Sequence, residues 1–430
     1  MFEKYIVEQN SQWKKDFLEI GFPREAMATL IKYIKMRQII ALVGVRRCGK
    51  STIAKQLINF LIKEKKINPK NILFLNLENP ILNQFKSDPN NLQKIFDEYL
   101  ALIEPKGKIF VFLDEVQFFS DWQVFVKSQY EKGGVKFFIT GSNSRLLSAE
   151  MATLLSGRSI VKNLYPFNFR EIIALKKIGI NDKIEMIASE GKIAKIFGEY
   201  LSAGGFPEVV LEKSADMKKE LLVNYYKNIL YQDIIPRFEV KKNKEIENLL
   251  LYLFSNIGQP YSYNSLAGFL KMNDKTVKEY IGFFEKSFLL FEVSNYQFSL
   301  KKQENYPKKV YSIDNGFIGA VSFSFSENFG RFLENTVFLG FLEAGKDIYY
   351  HRGKYECDFV VKNGRKITEA IQVTKKLDNN NEKRELAGLL EAMEKFNLKE
   401  GMIITEDLEE ERKIKGKKIK IIPAWKWLLR

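Results

Sequence analysis

The run Gly44-Val45-Arg46-Arg47-Cys48-Gly49-Lys50-Ser51 spells G-x-x-x-x-G-K-S, and its flanks narrow the fold more than any other feature of the chain. Ahead of it, Ile39 to Val43 reads as a buried apolar strand. Behind it, Thr52 to Ile62 reads as a helix, with Ile53, Leu57 and Leu61 at helical spacing. Strand, glycine loop and helix in that order make a cradle for a polyphosphate. Glycines let the main chain approach the anion closely. The loop N–H groups and the positive end of the helix then hold it. Gly44, Arg47, Cys48, Gly49, Lys50, Ser51 and Thr52 are therefore expected to line a nucleoside triphosphate. Lys50 would reach the β- and γ-phosphates, and the Ser51 hydroxyl would ligate Mg²⁺. The competing reading is a glycine-rich turn without a ligand, and the strand–loop–helix context argues against it.

A second strand supplies acids. Ile109 to Leu113 is a continuous apolar run of the kind buried on both faces of a parallel sheet, and it ends in Asp114-Glu115. Asp114 is placed to hold Mg²⁺ through its water shell, and Glu115 to act as general base toward an attacking water. Alternatively, the two acids merely cap a strand. A further strand, Val135 to Thr140, ends in Gly141-Ser142-Asn143. Asn143 is expected to orient the lytic water, with Ser142 as second choice. A helix from Arg145 to Leu155 then closes on Gly157-Arg158, glycine ending it. Arg158 is open to two readings: an arginine finger completing a neighbouring subunit's site, or an ordinary exposed arginine favoured by the helix dipole.

Composition narrows the functional classes. With 430 residues, 45% apolar and 28% charged, the chain suits a protein of two to four domains. No apolar stretch approaches a membrane span, and residues 1–18 are too charged for a secretory signal. A cytoplasmic location and no membrane partner are the expectation. Two cysteines, Cys48 and Cys357, and one histidine, His351, leave no disulfide framework or zinc cluster. Lys plus Arg outnumber Asp plus Glu by 68 to 53, which suits a polyanionic partner, nucleic acid first and an acidic membrane surface second. The run Arg412 to Lys418 reads as a solvated loop, with a recognition element as the alternative.

Organisation along the chain is α/β. Alternating strands and helices in residues 1–171 indicate a doubly wound parallel sheet. Residues 172–242 read as a helical lid, broken at Ala203-Gly204-Gly205-Phe206-Pro207. Residues 243–301 read as a winged helix. There Ser265–Met272 and Lys275–Phe288 form helix–turn–helix with Asp274 as N-cap, and Phe291–Val293 begins a wing. Lys275, Thr276 and Lys278 face outward at the amino end of the second helix, where such helices meet DNA; packing or protein contact is the alternative. Residues 302–430 are mixed α/β, with a helix carrying Glu334 and a hairpin turning at Asn363-Gly364.

These pieces resemble a family of AAA-type P-loop ATPases from archaea and bacteria that carry a winged helix and a C-terminal domain similar to PD-(D/E)XK nucleases. The matching stretches are Gly44–Ser51, Phe110–Glu115, Thr140–Asn143, Ser156–Arg158 with Leu164–Glu171, Gly204–Glu208 and Tyr311–Gly316. The resemblance implies ATP as the nucleotide, subunits assembled side by side in an oligomer such as a ring, and a role linked to nucleic acid. It favours Arg158 as a finger. In the nuclease pattern a helix Glu, a hairpin Asp and an E-x-K gather Mg²⁺. Glu334 and Asp358 match the first two. Gln372 and Thr374 stand where the acid and lysine belong, Glu369 falls on the opposite face, and Lys375 reaches the site only through a bulge. The resemblance therefore implies a vestigial nuclease site.

The leading expectation is Mg²⁺-dependent ATP hydrolysis coupled to DNA binding or remodelling by a homo-oligomer. The alternative is an ATP-driven switch acting on a protein partner or on transcription. An ATP-gated nuclease is the third class.

Overall fold

Four short apolar runs in the first part of the chain become buried parallel strands, because each is too hydrophobic on both faces to border water, and the more polar Ser159–Asn163 joins them as a half-buried edge strand, making five. They are β1 (Ile39–Val43), β2 (Ile72–Asn76), β3 (Ile109–Asp114), β4 (Val135–Gly141) and β5 (Ser159–Asn163). The computed structural model describes residues 2–14, 18, 20–88, 90–142, 155, 157–180, 182–322 and 329–430. It divides into two units, Met1–Tyr165 and Pro166–Arg430.

In the first unit the sheet order is β2-β3-β4-β1-β5. Every pairing is parallel, with Leu42 beside Thr140 and Leu113 beside Ile139. Helices Lys50–Lys63, Asn90–Ile103 and Trp122–Lys132 cover it. Since β4 lies between β1 and β3, the tips of all three converge on one carboxyl edge, where open α/β sheets bind ligands. Asn143, and the expected helix over 145–155 apart from Leu155, lie outside the described residues.

The second unit begins helical, with Phe169–Leu175, Glu190–Ala203, Ala215–Asn228 and Asn243–Ser255 among its helices. Tyr263–Leu270 and Asp274–Lys286 follow. The cap of the latter differs from expectation. Asn273, not Asp274, is the N-cap, its side chain accepting from Lys275 N at 2.8 Å, because the helix starts one residue earlier than periodicity indicated. Val277, Tyr280, Ile281 and Phe284 are buried as the spacing requires. Strands β6 (Leu290–Ser294) and β7 (Lys308–Ser312) pair antiparallel.

The terminal sheet contains β8 (Asp347–Arg352), β9 (Glu356–Asn363), β10 (Lys366–Val373), β11 (Glu400–Thr405), β12 (Glu410–Ile414) and β13 (Lys417–Pro423). Their order is β12-β13-β11-β10-β9-β8, with β10, β11 and β13 parallel and the rest antiparallel. The run Arg412 to Lys418 is therefore not a loop but the β12–β13 hairpin. Lys415 and Gly416, at φ 49° and 76°, make its two-residue turn. Cross-strand pairing, such as Lys418 to Glu411 at 2.8 Å, stabilises charged residues there.

Two stretches that sequence reading set apart meet in a buried knot. The Asp314 carboxylate accepts from Gly205 N at 2.6 Å and from Gly316 N at 2.7 Å. Burial pushes its pKa up to about 7 against those two donors. Asn335 bridges Ser312 and Asn315 alongside. The breaker at residues 203–207 is thus held by β7's exit loop. Among the described residues, no helix is long and apolar enough to cross a membrane.

Candidate active site

The loop between β1 and helix Lys50–Lys63 is shaped by close packing. A Cβ on Gly44 would overlap the Leu164 carbonyl oxygen, so only glycine fits. Gly49 and Arg47 take positive φ, 98° and 71°. Arg24 ties the loop to the start of the chain, donating to Cys48 O and Tyr165 O at 2.8 Å each. Cys48 is wholly buried, and burial pushes its thiol pKa up, so it packs rather than reacts.

The acid pair lies across this loop. Lys50 Nζ is 3.3 Å from Glu115 Oε1 and donates to Gly44 O and Val45 O at 3.3 and 3.2 Å. Thr140 stands between them at the tip of β4. Its hydroxyl donates to Asp114 Oδ1 at 2.6 Å and accepts from Glu115 N at 2.9 Å. Gln117 donates to Glu115 Oε2 at 2.5 Å and to Ser142 Oγ at 3.0 Å. Glu115 itself is left-handed, φ 55° and ψ 54°, a conformation that costs about 1–3 kcal/mol in a non-glycine residue. Arg46 pairs with Glu78 beside the loop. Gln117 and Arg24 carry no spacing pattern of their own, and the 2-3-4-1-5 order brings Thr140 beside the acid pair.

Electrostatics separate the two acids. Burial is the largest single effect and acts against charge on Glu115, but Lys50 first, with Gln117 and Arg46, together outweigh it and hold its pKa below the usual range. Burial likewise opposes the Lys50 charge, and Glu115, ahead of Cys48 and Asp114, reverses that effect and raises the ammonium's pKa. Asp114 is pushed up by burial and then by the neighbouring Glu115 charge, while Thr140 and Ser51 hydrogen bonds pull it down. The buried Asp114 carboxylate, with the Ser51 hydroxyl beside it, is a donor set that fits Mg²⁺. Thr140→Val keeps shape but removes both hydrogen bonds. Turnover should fall about 10–100-fold with little change in nucleotide affinity, as steady-state kinetics would show.

Arg158 lies elsewhere. Its carbonyl accepts from Ile39 N, placing it at the amino edge of the sheet, roughly 16 Å along the strands from the loop. There it makes an exposed ion pair with Glu131 at 3.2 Å. In the second unit Lys275 and Lys278 are exposed and Thr276 is half-buried. Lys278 stands 3.6 Å from Glu304.

Glu334, Asp358 and Gln372 are drawn together, but around a group that sequence reading missed. Lys309, on β7, stands 3.1 Å from Glu334, 2.8 Å from Glu356 and 3.1 Å from Asp358. Tyr311, two residues on and on the same strand face, donates to Glu334 at 2.7 Å. Gln372 accepts from Asp358 N at 3.2 Å and donates to Glu385 at 2.5 Å. Glu369 pairs outward with Lys346, and Lys375 lies over the Phe329 ring. Among the described residues, no group of three or more His, Cys, Asp or Glu side chains is set to hold a metal ion. The carboxylates here are already engaged, so this pocket does not fit the Mg²⁺ that the nuclease pattern implies.

Residues 36–173 match the model of an AAA domain, and residues 194–328 match a domain of unknown function, DUF8612. The chain is 34% identical over 415 residues to the uncharacterized protein MJ1544 of Methanocaldococcus jannaschii, covering 91% of this chain and 88% of that one. It is 28% identical to an uncharacterized protein of Haemophilus influenzae, covering 93% and 96%. Among solved structures, the Aeropyrum pernix ORC1 protein in complex with DNA aligns at TM-score 0.32 and 10% identity, over 72% of this chain and 94% of that one.

Proposed function

The chain belongs to the family of the Methanocaldococcus jannaschii protein MJ1544 and carries an AAA-type P-loop ATPase domain, and on that premise we propose that it hydrolyses ATP with Mg²⁺ and couples turnover to DNA binding or remodelling as a homo-oligomer. The observation that carries the hydrolase reading is the 3.3 Å contact between Lys50 and Glu115, which joins loop and acid pair in one pocket.

In this reading the Gly44–Ser51 main chain and Lys50 bind the phosphates. Ser51 and Asp114 hold Mg²⁺, which when bound supplies charge neutralisation to the phosphates. Glu115 Oε2, held by Gln117, takes the proton of a water aimed at the γ-phosphate, and Thr140 fixes its backbone. Asn143 is proposed to orient that water. Arg158, too far along the sheet to reach its own chain's loop, is proposed to act on a neighbouring subunit.

For DNA, the proposed contact is the amino end of helix Asp274–Lys286 within a winged-helix unit, through Lys275, Thr276 and Lys278. The net charge of +15 supports a polyanionic partner. The terminal domain is proposed to be a nuclease-like fold serving in binding or assembly. The decisive experiment is ATP turnover with and without single-stranded, duplex and branched DNA. Stimulation that Lys275→Glu/Lys278→Glu removes, at unchanged basal rate, is expected, with binding that weakens steeply as salt rises. Equal turnover with every DNA would favour a switch acting on a protein partner.

A further inference from the structure

The Lys309 cluster is built as a charge site. Its ammonium is 1% exposed and contacts three carboxylates from three places in the chain: helix Phe329–Glu343, the start of β9, and β9's third residue. Burial disfavours the charge, but Glu334 foremost, with Tyr311, Asp358 and Glu356, holds the pKa well above an ordinary lysine's. Burial also raises Glu334 to about 7 despite Lys309. Contacts of 2.8–3.1 Å are hydrogen-bond lengths for an ammonium; Mg²⁺ takes oxygens at about 2.0–2.1 Å.

Two of the remaining oxygens also face donors or cations. Asp358 Oδ2 accepts from Val373 N at 3.0 Å, and Glu356 Oε2 faces Arg352 at 3.9 Å. Lys309 has little room to withdraw: it lies on the fully buried strand β7, with its ammonium 5.7 Å from the centre of the Tyr350 ring. A divalent ion entering this pocket would meet a fixed positive charge at its centre.

We infer that the Lys309 ammonium is the resident cation of this carboxylate pocket, making it a metal-free clamp between β7 and the terminal sheet instead of a divalent-metal centre. Ablating the ammonium should then create the metal site that the native chain excludes. This is independent of the ATPase reading, because the cluster shares no residue with the phosphate-binding loop.

The test is Mn²⁺ binding to the nucleotide-free full chain, followed by Mn²⁺ electron paramagnetic resonance, for wild type, Lys309→Met, Asp358→Asn and Glu334→Gln. Wild type, Asp358→Asn and Glu334→Gln are expected to share one weak isotherm, whereas Lys309→Met gains a site at least about tenfold tighter. A Lys309→Met chain that folds only with Mn²⁺ supports the same conclusion. Wild-type binding that either acid substitution weakens tenfold overturns it, as does a folded Lys309→Met chain binding no better than wild type. If Lys309→Met folds under neither condition, the wild-type and acid-variant isotherms decide: identical upholds the clamp, different overturns it.

Discussion

Glu115→Gln should lower ATP turnover by about 10²–10⁴-fold while nucleotide still binds. The substitution is nearly isosteric. A glutamine Oε1 still accepts from Lys50, and the left-handed backbone stays pinned by Thr140. What is lost is the proton acceptor, not the architecture. Lys50→Ala acts at the other end of the same contact. It removes the cation meant for the β- and γ-phosphates, so affinity itself should collapse. Equilibrium binding of a fluorescent ATP analogue, set beside phosphate release, separates the two variants. Wild-type hydrolysis by Glu115→Gln would remove that residue from the mechanism and leave Asp114 as the acid to examine.

Gly204→Ala should destabilise the second unit by about 3–5 kcal/mol, combining left-handed strain with overpacking. Gly204 sits at φ 76°, and an added Cβ would overlap the Asp314 carboxylate. That carboxylate has little freedom to give way, because the main-chain N–H groups of Gly205 and Gly316 hold both of its oxygens. Urea unfolding would show a lowered midpoint for the second unit. An unchanged midpoint would mean the knot relaxes at no cost. The same substitution at Gly107, with nothing within 4 Å, tests strain without overlap and should cost only about 1–2 kcal/mol.

Elements whose signal is local were legible in advance. The phosphate-binding loop lies in the sequence because its glycines, lysine and serine are consecutive, and one strand and one helix complete it. Strand β1 falls on the residues its apolar run indicates, since full burial leaves no polar face to blur the pattern. The Asn363-Gly364 hairpin is equally local, with Gly364 at φ 59°. Where charged residues were placed by default in solvent, as over Arg412 to Lys418, cross-strand partners reversed the reading.

The sequence by itself determined that a polyphosphate cradle and an acid-tipped strand exist, because each is written in adjacent residues. Only the tertiary structure decided that Thr140 separates and steadies the acids, that Arg158 stands at the opposite sheet edge, and that Lys309 fills the carboxylate pocket. The physical reason is distance along the chain. Sheet order and long-range packing, such as that of Lys309 on Asp358, bring together residues tens to hundreds of positions apart, and no periodicity within one segment records such a meeting.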